Sequence, residues 1–207
     1  MIKGAEGRQA VMASERRRSI RSHQAILAAT TQLLAEVGYS ALTIEGVATR
    51  AGVGKATVYR WWPSKGALVI EAMSTAPGMI PVPETGDLRQ DLLAVGKGIV
   101  QTLAHTPAGT VILALAADLM RDPEMAEQFR NLMIGPQRSA ITQILRHAAD
   151  RGELPADLDI DLLIDVYAGT IFYRVLVSGE PVTDLLAEQL VDLLLDGKPP
   201  VKPGAAA

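Results

Sequence analysis

Along most of the chain apolar residues recur at three- and four-residue steps, while the strict alternation expected of strands is nearly absent. Ile26, Leu27, Thr30, Leu33, Leu34 and Val37 form one such stripe, and Gly38 supplies its stop. Thr43 is placed to cap a second helix, whose Ile44, Val47, Ala48 and Ala51 repeat at i, i+3, i+4 and i+7. Gly52 suits a left-handed residue, Val53 a small apolar plug, and Gly54 the start of a third short helix running to about Trp61. Pro63 and Ser64 open a fourth. The prolines and glycines of residues 76–86 predict a loop and a domain boundary. Beyond it the periodicity predicts helices at about 87–105, 108–121, 123–150, 158–178 and 182–196, with a kink or break at Gly135-Pro136. The fold class is therefore all-α. Four segments are expected: a flexible basic arm at 1–16, a helical domain at 17–75, a second helical domain at 76–196 and a flexible tail at 197–207.

Charge adds an asymmetry that the net value of −3 hides. Residues 1–70 hold ten Lys and Arg against four Glu, leaving the remainder with ten basic and nineteen acidic residues. A basic first third fits contact with a polyanion, and an acidic remainder fits a body that stays away from it. The absence of cysteine removes disulfides and thiolate metal sites and is compatible with a reducing, cytoplasmic setting. The longest apolar run, Val111 to Ala117, is far short of the roughly 20 residues that span a bilayer.

The stretch "AGVGKATVYRWWPSKGAL" (51–68) poses a choice between a nucleotide loop and a nucleic-acid-binding helix. A phosphate loop requires Gly, four residues, then Gly-Lys-Ser/Thr after a strand. Here Thr49 stands where the first glycine belongs, Ala56 stands where the hydroxyl belongs, and the preceding element is an amphipathic helix. The helix-turn-helix alternative asks for a buried stripe, a glycine turn with an apolar plug, and a polar outer face on the second helix. All three are present. Val58 points inward, leaving Lys55, Ala56, Tyr59, Arg60 and Trp61 at or beside the outer face.

At this length the segment "YSALTIEGVATRAGVGKATVYRWWPSKGAL", preceded by "ILAATTQLLAEVGY", closely resembles the DNA-binding domain of the tetracycline-repressor (TetR) family of bacterial transcription regulators. The likeness covers roughly residues 17–75; Gly46 and Gly66 stand where helix formers are more usual, and Trp62 replaces a usual phenylalanine. It implies a homodimer bound to a palindromic operator on double-stranded DNA, released by a small apolar or amphipathic effector, with no cofactor and no enzymatic activity. By the same likeness Lys55, Ala56, Arg60 and Trp61 fall on positions that face bases or adjoining backbone, and Arg60 is the expected sequence reader. Thr43, Thr57, Tyr59 and Lys65 fall where family members hold phosphates. Thr43 is also a helix cap in its own right, and Tyr59 has the alternative of packing its ring inward. Arg16, Arg17 and Arg18, with Arg21, read either as an arm that tracks phosphates or enters a minor groove, or as a solvated basic tail.

In the second domain the resemblance implies an effector pocket without locating it, and Met73, Met79, Leu103, Leu113, Met120, Phe129, Met133 and Tyr167 are the candidates to line one, each with ordinary core as its alternative. Tyr167, Ile171, Phe172, Val175, Leu186, Leu190, Leu193 and Leu194 cover more than one face of the last two helices, which calls for an additional partner; the resemblance implies that this is the same helix pair of a second subunit, a dimer interface, with burial inside one chain as the alternative. His105, His147 and the ladder Asp157, Asp159, Asp161, Asp165 lack metal-ligand spacing; the ladder reads as carboxylates at a helix start. No catalytic constellation is defensible from spacing. Besides the repressor, the sequence leaves open a DNA-organising protein that responds to no effector, or an enzyme built on the acidic body.

Overall fold

The computed structural model describes residues 3–75, 82–197 and 200. Among them every regular element is helical: α1 (Lys3–Ala41), α2 (Ile44–Ala51), α3 (Lys55–Tyr59), α4 (Lys65–Thr75), α5 (Leu88–His105), α6 (Pro107–Arg121), α7 (Pro123–Phe129), α8 (Gly135–Asp150), α9 (Ile160–Tyr173) and α10 (Asp184–Asp196). Two π-helical turns, Arg130–Ile134 and Arg174–Ser178, follow α7 and α9. At Gly135-Pro136, where the sequence predicts a kink or break, the backbone stays helical (Gly135 φ −56°, ψ −48°): a widened turn in which the Gly135 N–H bonds the Arg130 carbonyl leads directly into α8. Helix α1 already runs from Lys3, through the stretch expected as a flexible arm. Met79 and nearly all of the expected tail lie outside the described residues.

The chain divides into two compact units, Met1–Ala76 with Ala117–Gln128, and Pro77–Ala116 with Phe129–Ala207. The end of α6 and most of α7 therefore cluster with the first unit, although sequence order places them in the second.

In the first unit most of the predicted α1 stripe is buried, Leu33 is half-buried, and its last member Val37, beside the Gly38 stop, is 47% exposed. Ile26, Leu34, Leu42, Ile44, Val47, Val58, Trp62, Leu68 and Ile70 are all buried. Thr30, the polar member of the α1 stripe, is satisfied by donating to the Ile26 carbonyl at 2.8 Å. Gly38 (φ 72°, ψ 175°) breaks the α1 helical path in a conformation that disfavours any residue with a Cβ, and the chain turns there toward α2. Helix α7 adds Met125, whose sulfur lies 2.1 Å from where a Cβ on Gly66 would sit. That contact explains a glycine in the first turn of α4: the space of its side chain is already filled. Gln128 Nε2 donates to the Ala67 carbonyl beside it at 3.1 Å.

The second unit is a bundle of α5, α8, α9 and α10 around Leu92, Val95, Ile99, Leu145, Ile164, Tyr167, Ile171, Leu190 and Val191. Its entry loop is pinned by the buried Asp91 carboxylate, which accepts the Thr85 backbone N–H at 3.0 Å and the Thr85 hydroxyl at 2.7 Å. Burying that carboxylate demands such donors.

Candidate nucleic-acid interface

Helix α3 has only five residues and cannot hold its own orientation. It is fixed from both sides. Upstream, Thr43 caps α2 by accepting the Gly46 N–H at 3.1 Å; a Cβ on Gly46 would stand 3.2 Å from that same hydroxyl oxygen. At the other end Gly52 takes the left-handed conformation (φ 66°) that lets the chain reverse, and Val53 N–H returns to the Ala48 carbonyl at 3.0 Å. Downstream, Val58 and Trp62 enter the core with essentially no exposure.

The Trp62 anchor involves a residue that sequence reasoning missed. His23 of α1 stacks on the Trp62 ring at 4.8 Å between centroids and meets Trp61 edge-on at 4.8 Å. Glu71 of α4 accepts the Trp62 indole N–H at 2.8 Å and pairs with His23 Nε2 at 3.0 Å. One carboxylate thus ties α1, the segment after α3, and α4 together. The available signal was register, since His23 lies three residues before Ile26 on the buried stripe of α1.

With Val58 inward, the opposite face of α3 points to solvent. Lys55, Ala56, Tyr59, Arg60 and Trp61 are exposed, Tyr59 at 47% and Trp61 at 43%, and Thr57 is half-buried. Large aromatics exposed on a short helix mark an interaction surface. The Arg60 side chain makes no ion pair or hydrogen bond among the described residues, so its full donor fork is available to a partner. Lys55 is already engaged: its ammonium bonds Glu45, which holds the Glu45 carboxyl below the ordinary carboxylate range and Lys55 above the ordinary lysine range. Lys65, expected at a phosphate, is turned inward. It donates to the Tyr39 carbonyl at 3.0 Å and lies 4.3 Å from the Tyr39 ring centroid, a geometry set by cation–π attraction. Tyr39 in turn donates to Asp118 at 2.6 Å, and burial first, then Asp118, pushes its hydroxyl above the ordinary tyrosine range. Arg16, Arg17 and Arg18 are exposed on the helical part of α1.

Two sequence patterns describe known families over these same residues. One, "Bacterial regulatory proteins, tetR family", matches residues 26–72; the other, "Tetracyclin repressor-like, C-terminal domain", matches residues 82–194 and so more than half of the chain. The chain belongs to the TetR family. It is a DNA-binding helix-turn-helix transcriptional regulator, a class that is not enzymatic. It is 38% identical over 171 residues to the uncharacterized HTH-type transcriptional regulator YdeS of Bacillus subtilis (strain 168), covering 82% of this chain and 86% of the relative. The crystal structure of the TetR-family regulator SCO0332 superposes with a TM-score of 0.77 at 36% identity, covering 86% of this chain and 99% of that one. Thermus thermophilus FadR, a TetR-family repressor crystallised with lauroyl-CoA, shares the fold at TM-score 0.63 and 18% identity over 89% of this chain and 99% of its own.

The remaining candidates of this TetR-family chain fall in several places. In the second unit Leu103 and Tyr167 are core residues, while Leu113, Phe129 and Met133 are half-buried. Met73 is half-buried in the first unit, and Met120 is 89% exposed there. Tyr167 points inward, donating to the Leu92 carbonyl at 3.0 Å. Of the expected interface residues, Tyr167, Ile171, Leu186 and Leu190 are buried inside their own unit, Phe172, Val175 and Leu194 are half-buried, and Leu193 is exposed. Besides Leu193, the large apolar side chains left exposed on these elements are Leu162, Val166, Tyr173, Leu176 and Val177 on α9 and its π-helical turn and Leu185 on α10. Packing against α5 and α8 decided which side chains of these helices stayed uncovered.

The acidic ladder has structural duties. Asp159 caps α9 by accepting the Leu162 N–H at 2.9 Å, and Asp161 and Asp165 grip Arg138 at 2.9 and 2.7 Å. His147 pairs with Glu84, and the side chain of His105 lies outside the described residues. Among the described residues no three His, Cys, Asp or Glu side chains gather to hold a metal ion, and no single helix is long and apolar enough to cross a membrane.

Proposed function

We propose that this regulator is a homodimeric repressor that reads a palindromic operator through α3 and is released by a small apolar or amphipathic effector. The observation that carries the DNA half of this reading is the outer face of α3: an arginine without a protein partner, flanked by exposed Tyr59 and Trp61, on a helix clamped through Val58 and Trp62. Arg60 is assigned to a guanine, gripping O6 and N7 together, with Lys55, Ala56 and Trp61 beside it. Thr43, Thr57 and Tyr59 are assigned to phosphates, the Thr43 hydroxyl keeping its proton for an anion while its oxygen serves as the cap. Residues 17–75 form the DNA-binding domain and 76–196 the effector and dimer domain.

The apolar side chains left exposed on α9 and on α10 support a two-fold dimer, which sets the two copies of α3 at half-sites about one helical turn apart or a multiple of it. An amphipathic effector is supported by the lauroyl-CoA held by the FadR relative and by the half-buried Leu113, Phe129 and Met133 of the second unit. Effector and operator then oppose each other by linkage, each weakening the other's binding by the same free energy.

Selection of bound sites from random duplexes tests the DNA half. The wild type recovers a palindrome, and Arg60→Ala loses preference at one base pair of each half-site, a discrimination of about 1–3 kcal/mol. Selectivity retained by Arg60→Ala at every position removes Arg60 as the reader. Sedimentation tests the dimer: Val177→Asp with Leu193→Glu yields single chains, and an unchanged dimer places the interface elsewhere.

A further inference from the structure

On the first unit, Arg17, Arg18, Arg21, Ser22 and Ala25 of α1 face Ala51, Gly52 and Val53 of the α2–α3 turn across an open groove of about 430 Å³. The five α1 positions occupy about 140° of the helix circumference, so one side of the helix makes one wall. The floor is small and the cations stand around it: Ser22, Ala25, Ala51 and Gly52 leave room for a bulky anion, and a Cβ on Gly52 would meet nothing within 4 Å. None of the three arginine side chains has an acidic partner or hydrogen bond among the described residues, whereas Arg50, Arg89, Arg138 and Arg151 each hold a carboxylate. Three like charges around one concavity repel until an anion sits among them. Such a groove is far too wide for one phosphate. It opens beside Val53, two residues before α3 begins.

We propose that this groove seats the phosphate backbone bordering the major groove that α3 enters, making Arg17, Arg18 and Arg21 a clamp on successive phosphates rather than an arm in the minor groove. The assignment rests on α3 being the DNA-reading element. Arg17 and Arg21 are about 6 Å apart along α1, so separate guanidiniums reach separate phosphates of one strand. Being held on a folded helix against the turn, the clamp fixes the register of α3 on the duplex and carries no base preference of its own.

The test uses the full chain, comparing wild type with the triple variant R17Q/R18Q/R21Q and with Ser22→Asp, which puts a carboxylate into the groove. Dissociation constants are measured by fluorescence anisotropy over a salt series, on a duplex selected by the wild type and on an unrelated one. The dimer loses three phosphate contacts per protomer, which lowers the slope of log K against log salt by about 5.4, with the same loss on both duplexes and unchanged base preference. Ser22→Asp weakens both duplexes alike. Melting temperatures stay at the wild-type value, because these side chains support no contact in the fold. An unchanged slope in the triple variant, with wild-type binding intact, overturns the clamp while leaving α3 as the reader. Competition by the minor-groove ligand netropsin that disappears in the triple variant also overturns it. A wild type that binds no duplex overturns clamp and reader together, and loss of selection by Arg60→Ala beside an unaltered triple variant separates the two.

Discussion

The most informative single perturbation is Gly96→Ala in α5. Helix propensity alone makes alanine better than glycine there by about 1 kcal/mol. Packing says the opposite. A Cβ on Gly96 would lie 1.9 Å from the Tyr167 hydroxyl oxygen, 2.9 Å from its Cζ and 3.0 Å from the Ala187 Cβ. Tyr167 is a stiff ring, 5% exposed, whose hydroxyl donates to the Leu92 carbonyl at 3.0 Å. Moving it aside costs about 1–3 kcal/mol of overpacking strain. Losing the buried hydroxyl's partner adds about 1–3 kcal/mol more. The expected net effect is a loss of about 3 kcal/mol, the propensity gain being the smallest of the three. Tyr167→Phe alone loses about 1 kcal/mol, because it deletes one hydrogen bond and leaves Leu92 its helical partner. The double variant removes the closest clashing atom, so it is expected to be more stable than the sum of the singles by at least about 1 kcal/mol. Urea unfolding followed by far-UV circular dichroism, with midpoint and slope fitted separately, measures all four corners of the cycle. A Gly96→Ala protein as stable as wild type, or a cycle that is simply additive, refutes the packing argument.

Three further outcomes follow from the same geometry. Gly66→Ala is expected to destabilise less than Gly96→Ala, because the obstructing atom is the thioether of a flexible Met125 and the propensity gain offsets part of the strain; a larger drop in melting temperature than for Gly96→Ala contradicts this. Glu45→Gln releases Lys55 from its carboxylate and removes a negative charge beside α3, so duplex binding tightens a few-fold with a steeper salt dependence, and anisotropy titrations showing no gain refute the assignment of Lys55 to DNA. Alkaline titration of phenolate absorbance is expected to leave Tyr39 and Tyr167 un-ionised through the ordinary tyrosine range, since burial raises both. The stability held by their neutral hydroxyls is intact below about pH 10 and is lost as the pH climbs beyond it. Tyr39→Phe and Tyr167→Phe should leave the ordinary-range absorbance step unchanged, and a reduced step in either variant refutes burial as the cause.

Local patterns determined a great deal by themselves. The α1 stripe, the Thr43 cap, the left-handed Gly52 and the inward Val58 each depend on residues within one turn of each other, so periodicity and cap chemistry read them directly. The outer face of α3 followed at once, since placing Val58 inward leaves Arg60 and Trp61 outward. Tertiary structure decided whatever depends on partners distant in sequence. Lys65 reads as an outward phosphate contact until Tyr39 is brought under it, and Gly66 looks like a weak spot until Met125 fills its place. His23 gains a role only when Trp61, Trp62 and Glu71 converge on it. The last two helices show the limit most plainly: a wide apolar surface states that two partners are needed, yet which stripe goes inward is settled by the shapes of α5 and α8. Helical period is written in neighbours along the chain, whereas burial is a property of what arrives from elsewhere.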